Sequence, residues 1–343
     1  MQISKSAAVF FSLGALATSA GAATPGPEPK AVLSEAIGAL LQADGPKERH
    51  LLTRLEPSTL SAKQAELRTC MLARLDGGAE LPPPADPFVR KVLDTYRAYW
   101  REAMRTPPVR AAAERQLIEA LTTLLDRPDL KNIDAVEPVL TARLGQAGYH
   151  AILGRTGVLQ ELMLWSRQDD RAYTVALPEG THVTHVFLLN DFASMGWASY
   201  FSCEHTGTGG WTKPEGLYAV VPNYPSLEDE NFKVNFLAHE TQHFADQTRF
   251  PTLAGWEKEY RAKLVELSFA DTTRARVLDN FAANQGEDVN DPHAYADKRV
   301  LANLRRRLGL AADADLKAVP GDQLRAAARA ELLSDSIARD AKR

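Results

Sequence analysis

The sequence has little cysteine, little net charge and almost no long apolar run. Cys70 and Cys203 are the two cysteines among 343 residues. They can close one disulfide in an oxidising compartment or remain two buried thiols, and both readings stay open. The formal net charge is −4 and the basic residues are interspersed with acids; Arg305–Arg307 is the one basic run. That gives no electrostatic case for nucleic acid. The one apolar run lies in MQISKSAAVFFSLGALATSAGAATPGP. Lys5 precedes the stretch from Ala7 to Ala17, and Ala20-Gly21-Ala22 fits a cleavage site. The stretch is short for a bilayer, so residues 1–23 are expected to be a secretory signal peptide, with export to the periplasm or the medium. No cysteine follows it, which argues against a lipid anchor, and no later segment is apolar enough to span a membrane. No fixed repeat period points to a solenoid.

What remains is an ordinary globular composition, 45% hydrophobic and 24% charged. It suits one large domain or two smaller ones. From Ala31 to about Gly145, LSEAIGALLQ, LSAKQAELRTCMLARL, FVRKVLDTYRAYWREAM and RAAAERQLIEALTTLL place apolar residues at threes and fours. Residues 24–147 are therefore expected to be helical. After Gly148 the texture changes to short β-branched and aromatic runs, RAYTVALPEGTHVTHVFLLNDF, SMGWASYFSCEHTGTGGW and GLYAVVPNY. These read as a small sheet of about four strands with Gly-rich turns. Helices return with NFLAHETQHFADQ, and WEKEYRAKLVELSFADTTRARVL reads as one further helix. The fold class is α+β, mainly helical, with residues 148–343 as a second region.

The chemistry concentrates in His239-Glu240-Thr241-Gln242-His243. On a helix, positions i and i+4 share a face, so both imidazoles can reach one point. Two neutral imidazoles suit Zn²⁺, which takes about four ligands in a tetrahedron. Glu240 projects about 100° round the helix, placing it to act as general base on a zinc-activated water rather than as a ligand. The bland alternative is a solvated polar stripe. Val234, Phe236, Leu237 and Phe244 bracket the motif, which argues for a packed helix whose histidines need partners.

A third ligand is expected from the next helix. Gly255, Glu259, Ala262, Glu266 and Ala270 fall on one stripe, and its small residues permit close approach of a neighbouring backbone. Glu259 is the preferred ligand, against a reading in which it merely pairs with Lys263. Glu266 is the alternative ligand, or a carboxylate that orients a ligand histidine. Glu257 points away from the stripe. Asp246 lies in line with His239 and His243, so it suits an outer or structural role.

An H-E-x-x-H helix preceded by an edge-like strand and followed by a helix carrying a glutamate resembles the gluzincin class of zinc metallopeptidases. The resemblance covers roughly residues 170–300 and rests on His239, Glu240, His243 and Glu259. It implies a zincin-like core in which His239, His243 and Glu259 ligate zinc and Glu240 is the base. The gap from His243 to Glu259 is shorter than in the best-known members. The H-x-x-G-x-x-H continuation of metzincins is absent.

Peptide hydrolysis also needs a donor for the developing oxyanion. His293 and Tyr295, after the turn Asn290-Asp291-Pro292, are the candidates, with Tyr260 a further option. GLYAVVPNY is the candidate strand for pairing with an extended peptide substrate, with an ordinary buried strand as the alternative. His182, His185 and His205 read as surface or satisfied histidines. The expectation is an exported zinc-dependent metallopeptidase acting on peptides or proteins. A non-catalytic helical binding or scaffold protein, with a structural or vestigial metal site, is the alternative.

Overall fold

The computed structural model describes residues 28–78 and 82–342, so the expected signal peptide lies outside the described residues. The chain forms two compact units. One comprises the described residues up to Gln168 together with Asn190–Gly207; the other comprises Asp169–Leu189 and the described residues from Thr208 onward. The sequence suggests a boundary near residue 148, but contacts divide the chain at Gln168 and return Asn190–Gly207 to the first unit. The fold is mainly helical α+β with a small mixed sheet. No helix of the described residues is long and apolar enough to cross a membrane.

The first unit holds α1 (Pro29–Leu41), α2 (Gly45–Thr53), α3 (Ala62–Asp76), α4 (Pro87–Arg105), α5 (Arg110–Leu124) and α6 (Ile133–Gln146). Local chemistry sets their ends. Ser61 and Gln64 form a reciprocal capping box at α3, Asp86 accepts from Phe88 and Val89 at α4, and Asn132 accepts from Ala135 at α6. Such caps satisfy donors that the first helical turn leaves unpaired. The unit has its own apolar core, centred on Leu40, Leu52, Met71, Leu93, Trp100 and Leu140. It also contains α7 (Trp197–Phe201). Just past α7, Cys203 is disulfide-bonded to Cys70 of α3, which decides between the two cysteine readings.

The sheet is richer than four strands. Its order is β1 (His150–Ile152), β4 (Met163–Leu177), β5 (Gly180–Met195), β7 (Gly216–Val220), β6 (Gly210–Lys213). A separate ribbon pairs β2 (Arg155–Thr156) with β3 (Leu159–Gln160). β4 and β5 are long enough to run through both units. In the second unit β7 pairs parallel to β5, Val186 opposite Leu217, and β6 pairs antiparallel to β7. The GLYAVV segment is thus an interior, buried strand, and the edge is β6. This corrects the expected edge: four residues around Gly209-Gly210-Trp211 are too short and too Gly-rich to read as a strand from pattern alone.

The second unit then runs α8 (Glu230–Phe232), a π-helical stretch (Lys233–Ala238) and α9 (His239–Arg249) without a break. α10 (Gly255–Phe269), α11 (Arg274–Ala283), α12 (Pro292–Arg307) and α13 (Gly321–Asp340) follow. α10 is the central helix of this unit. Every residue from Tyr260 to Ser268 is buried, as expected of a helix covered on all sides. The helix expected to run from Trp256 to Leu278 breaks at Ala270–Thr273. Glu230 accepts hydrogen bonds there from the backbone of Asp271 and Thr272 and from the hydroxyls of Thr272 and Thr273, holding the turn open.

Candidate metal centre

α9 carries His239 and His243 one turn apart, their rings 5.1 Å centre to centre and near perpendicular. α10 brings Glu259 between them. Nε2 of His239 lies 3.5 Å from Oε2 of Glu259, and Nε2 of His243 lies 3.5 Å from Oε1. One donor atom from each of the three side chains falls within 4.8 Å of the others. Donors around a tetrahedral zinc, each about 2.0–2.1 Å from it, sit roughly 3.3 Å apart. Two imidazoles and a carboxylate at this spacing fit that ion.

Charge supports the same fit. The side chains of His239, His243, Glu259 and Glu266 are 12%, 18%, 14% and 10% exposed. Buried carboxylates need a counter-charge. Among the described residues, the ion-pair partners of Glu259 and Glu266 are histidines. The nearby cations are engaged elsewhere. Arg261 is wholly buried among Asp246, Glu179 and Asp335, and Lys263 lies 2.8 Å from Asp297. Lys263 therefore does not serve Glu259, and Asp246 does structural work with Arg261 and Gln242.

The titrations follow from these contacts. Burial alone would lower the His239 pKa, but Glu259 and Glu266 outweigh it and push it up to about 10. Burial and the neighbouring His239 hold His243 below its ordinary value. Burial opposes ionisation of Glu259, yet His239 and His293 hold its carboxyl far below the usual range. The cluster attracts positive charge.

The other candidates divide. Oε2 of Glu266 faces Nδ1 of His239 at 3.5 Å, on the ring edge away from Glu259. Nδ1 of His293 lies 3.0 Å from Oε2 of Glu259, while its side chain is largely exposed. Gly255 makes that approach possible: a Cβ there would meet Cγ of Pro292 at 3.3 Å, so α12 starts hard against the start of α10. The small residue thus serves α12 rather than α9. Tyr295 turns instead to Trp256, edge to face at 5.1 Å. Tyr260 donates to Glu331 and accepts from Asn303, which occupies its hydroxyl. Glu257 accepts from the Ala254 N–H at the helix start and pairs with Arg339. His182 and His185 lie on opposite faces of β5, and His185 meets Asp170.

One contact of Glu240 is invisible in the motif. Oγ1 of Thr212, on edge strand β6, donates to Oε2 of Glu240 at 2.6 Å. Nothing in the sequence near Glu240 signals a threonine 28 residues upstream; the contact exists only through the packing of β6 on the helix. Tyr224 stands close as well. Its hydroxyl donates to the Gly209 carbonyl, and burial with the Glu240 charge raises its pKa. In comparison with known proteins, the chain matches no family model, no curated protein and no solved structure.

Proposed function

We propose that the protein is an exported, zinc-dependent hydrolase of peptide bonds, of gluzincin type. The observation that carries this reading is the convergence of His239, His243 and Glu259 beside the half-buried carboxylate of Glu240. Three protein donors leave a coordination position open, as catalytic zinc sites do and closed structural sites do not. The Cys70–Cys203 disulfide supports export, because such bonds persist in oxidising compartments.

In this reading His239, His243 and Glu259 hold the ion. Zinc held there would supply Lewis acidity toward a water and the scissile carbonyl. Glu266, facing Nδ1 of His239, keeps the proton on that nitrogen and leaves the Nε2 lone pair for the metal. Glu240 takes the proton of the attacking water and passes it to the departing amine. His293, exposed beside Glu259, is the better placed of the two oxyanion-donor candidates, since Tyr295 packs on Trp256. The outer strand β6, rather than β7, is the place for an extended peptide to pair.

The test combines metal content with turnover on a tryptic digest of casein, read by mass spectrometry. The wild type is expected to hold one zinc per chain. Glu240→Gln is expected to keep the zinc while turnover falls roughly a hundredfold or more, the scale of general-base loss. A folded preparation made without chelator that contains no metal would sink the reading and favour a non-catalytic binding protein.

A further inference from the structure

We propose that Thr212 is a positioning residue for the general base, so that the edge strand and the catalytic carboxylate act as one unit. The proposal rests on the peptide-hydrolase reading of the site. It begins from a register match between a strand and a helix. Side chains at i and i+2 of a strand share a face, and two residues advance about 6.6 Å. On the helix, Phe236 lies in the π-helical stretch and Glu240, four residues on, lies in the first turn of α9. β6 lies along this junction. Gly210 lies against both neighbours: a Cβ there would meet the Tyr218 carbonyl of β7 first and the Phe236 ring at 2.6 Å, so the missing side chain lets β6 pair with β7 and lie close to the helix. Two strand residues on, Thr212 meets Glu240, four helix residues on, at 2.6 Å. The Gly210 contact sets the height of the strand, and the Thr212 hydroxyl then fixes one carboxylate oxygen.

Chemically this leaves Oε1 of Glu240 free of Thr212 and directs the carboxylate's orientation from β6. A base held by a donor loses less rotamer freedom on reaching its working geometry. The strand's own pairing reinforces the arrangement. Thr212 lies opposite Leu217 of the buried β7, and Trp211 stacks on Tyr218 at 5.5 Å. An extended peptide pairing with the outer edge of β6 would therefore dock on the element that orients the base.

The test compares Thr212→Val, which keeps shape and strand propensity but loses the donor, with Thr212→Ser, which keeps the hydroxyl. Both are expected to retain zinc at wild-type stoichiometry. On the casein digest, Thr212→Val is expected to lose roughly tenfold in kcat, the scale of one hydrogen bond to a charged group, with KM unchanged. Thr212→Ser is expected to stay close to wild type. In a Glu240→Gln background the Thr212→Val loss should vanish, because the two residues act through one step. Undiminished kcat in Thr212→Val, equal losses in the Val and Ser variants, or zinc loss in Thr212→Val would each overturn the proposal while leaving the hydrolase reading intact. A zinc-free, inactive wild type overturns both. A crystal structure of the zinc-loaded wild type supplies a readout without turnover: Glu240 turned away from Thr212 overturns the proposal, and Glu240 displaced in Thr212→Val supports it.

Discussion

Glu259 and Glu266 share one face of α10, yet they meet His239 on different edges of its ring. Glu259 faces Nε2 of both histidines, whereas Glu266 faces Nδ1 of His239 alone. Their losses should differ in kind. Glu259→Gln removes one of three donors and is expected to lose zinc on dialysis against a weak chelator. Glu266→Gln removes only the group that orients His239, and is expected to retain zinc with affinity or activity lower by roughly 10–100-fold. Metal analysis after dialysis separates the two, and the opposite order would reverse their roles. The His-Glu spacing in α9 was legible because helical periodicity alone brings two imidazoles to one face. Placing Glu259 and Glu266 on one stripe was equally a matter of period. Thr212 and the proximity of His293 to Glu259 were not legible, since each depends on how separate elements pack.

At the scale of elements, the same division appears. Helices α3 and α4 were legible from apolar periodicity, and like α6, which that periodicity did not single out, they carry their caps in local sequence. The break between α10 and α11 was not legible. Ala270-Asp271-Thr272-Thr273 carries no proline or glycine, and the turn is held from a distance by Glu230. Burial opposes ionisation of that carboxyl, but the Thr272 and Thr273 hydroxyls and the Asp271 and Thr272 backbone N–H groups bring its pKa down to about 2. The sign follows. A folded-state pKa below the unfolded value of about 4.3 means the unfolded state binds the proton more readily. Glu230 therefore contributes stability that is fully present above about pH 4.5 and is lost as pH falls toward 2. Glu230→Gln is expected to lower stability by roughly 1 kcal/mol near neutral pH, a few degrees in Tm. The difference from wild type should shrink as the melting experiment is repeated at pH 4 and then pH 3. A variant gap that widens on acidification would contradict the assignment.

At the scale of the whole molecule, two apolar cores stand in two compact units; one unit holds the disulfide and the other the candidate metal site. Leu40, Met71 and Trp100 belong to the first core, and Phe232, Leu264 and Val300 to the second. Cys70 and Cys203 both lie in the first unit; His239, His243 and Glu259 all lie in the second. The disulfide joins residues 133 positions apart. Closing a loop of that length typically contributes about 2–5 kcal/mol by restricting the unfolded chain, on the chain-entropy account. Zinc, binding the folded site alone, would stabilise by mass action, about 4 kcal/mol at a thousandfold excess over its Kd. The two effects should therefore act on different parts of one calorimetric trace. Scanning calorimetry of the protein is expected to show two transitions. Chelator should lower one of them by several degrees, and reductant should lower the other. The Cys70→Ala/Cys203→Ala variant should reproduce the reductant effect and leave zinc stoichiometry at the wild-type value. Chelator and reductant moving the same transition would show that the long strands β4 and β5, which run through both units, make the molecule unfold as one.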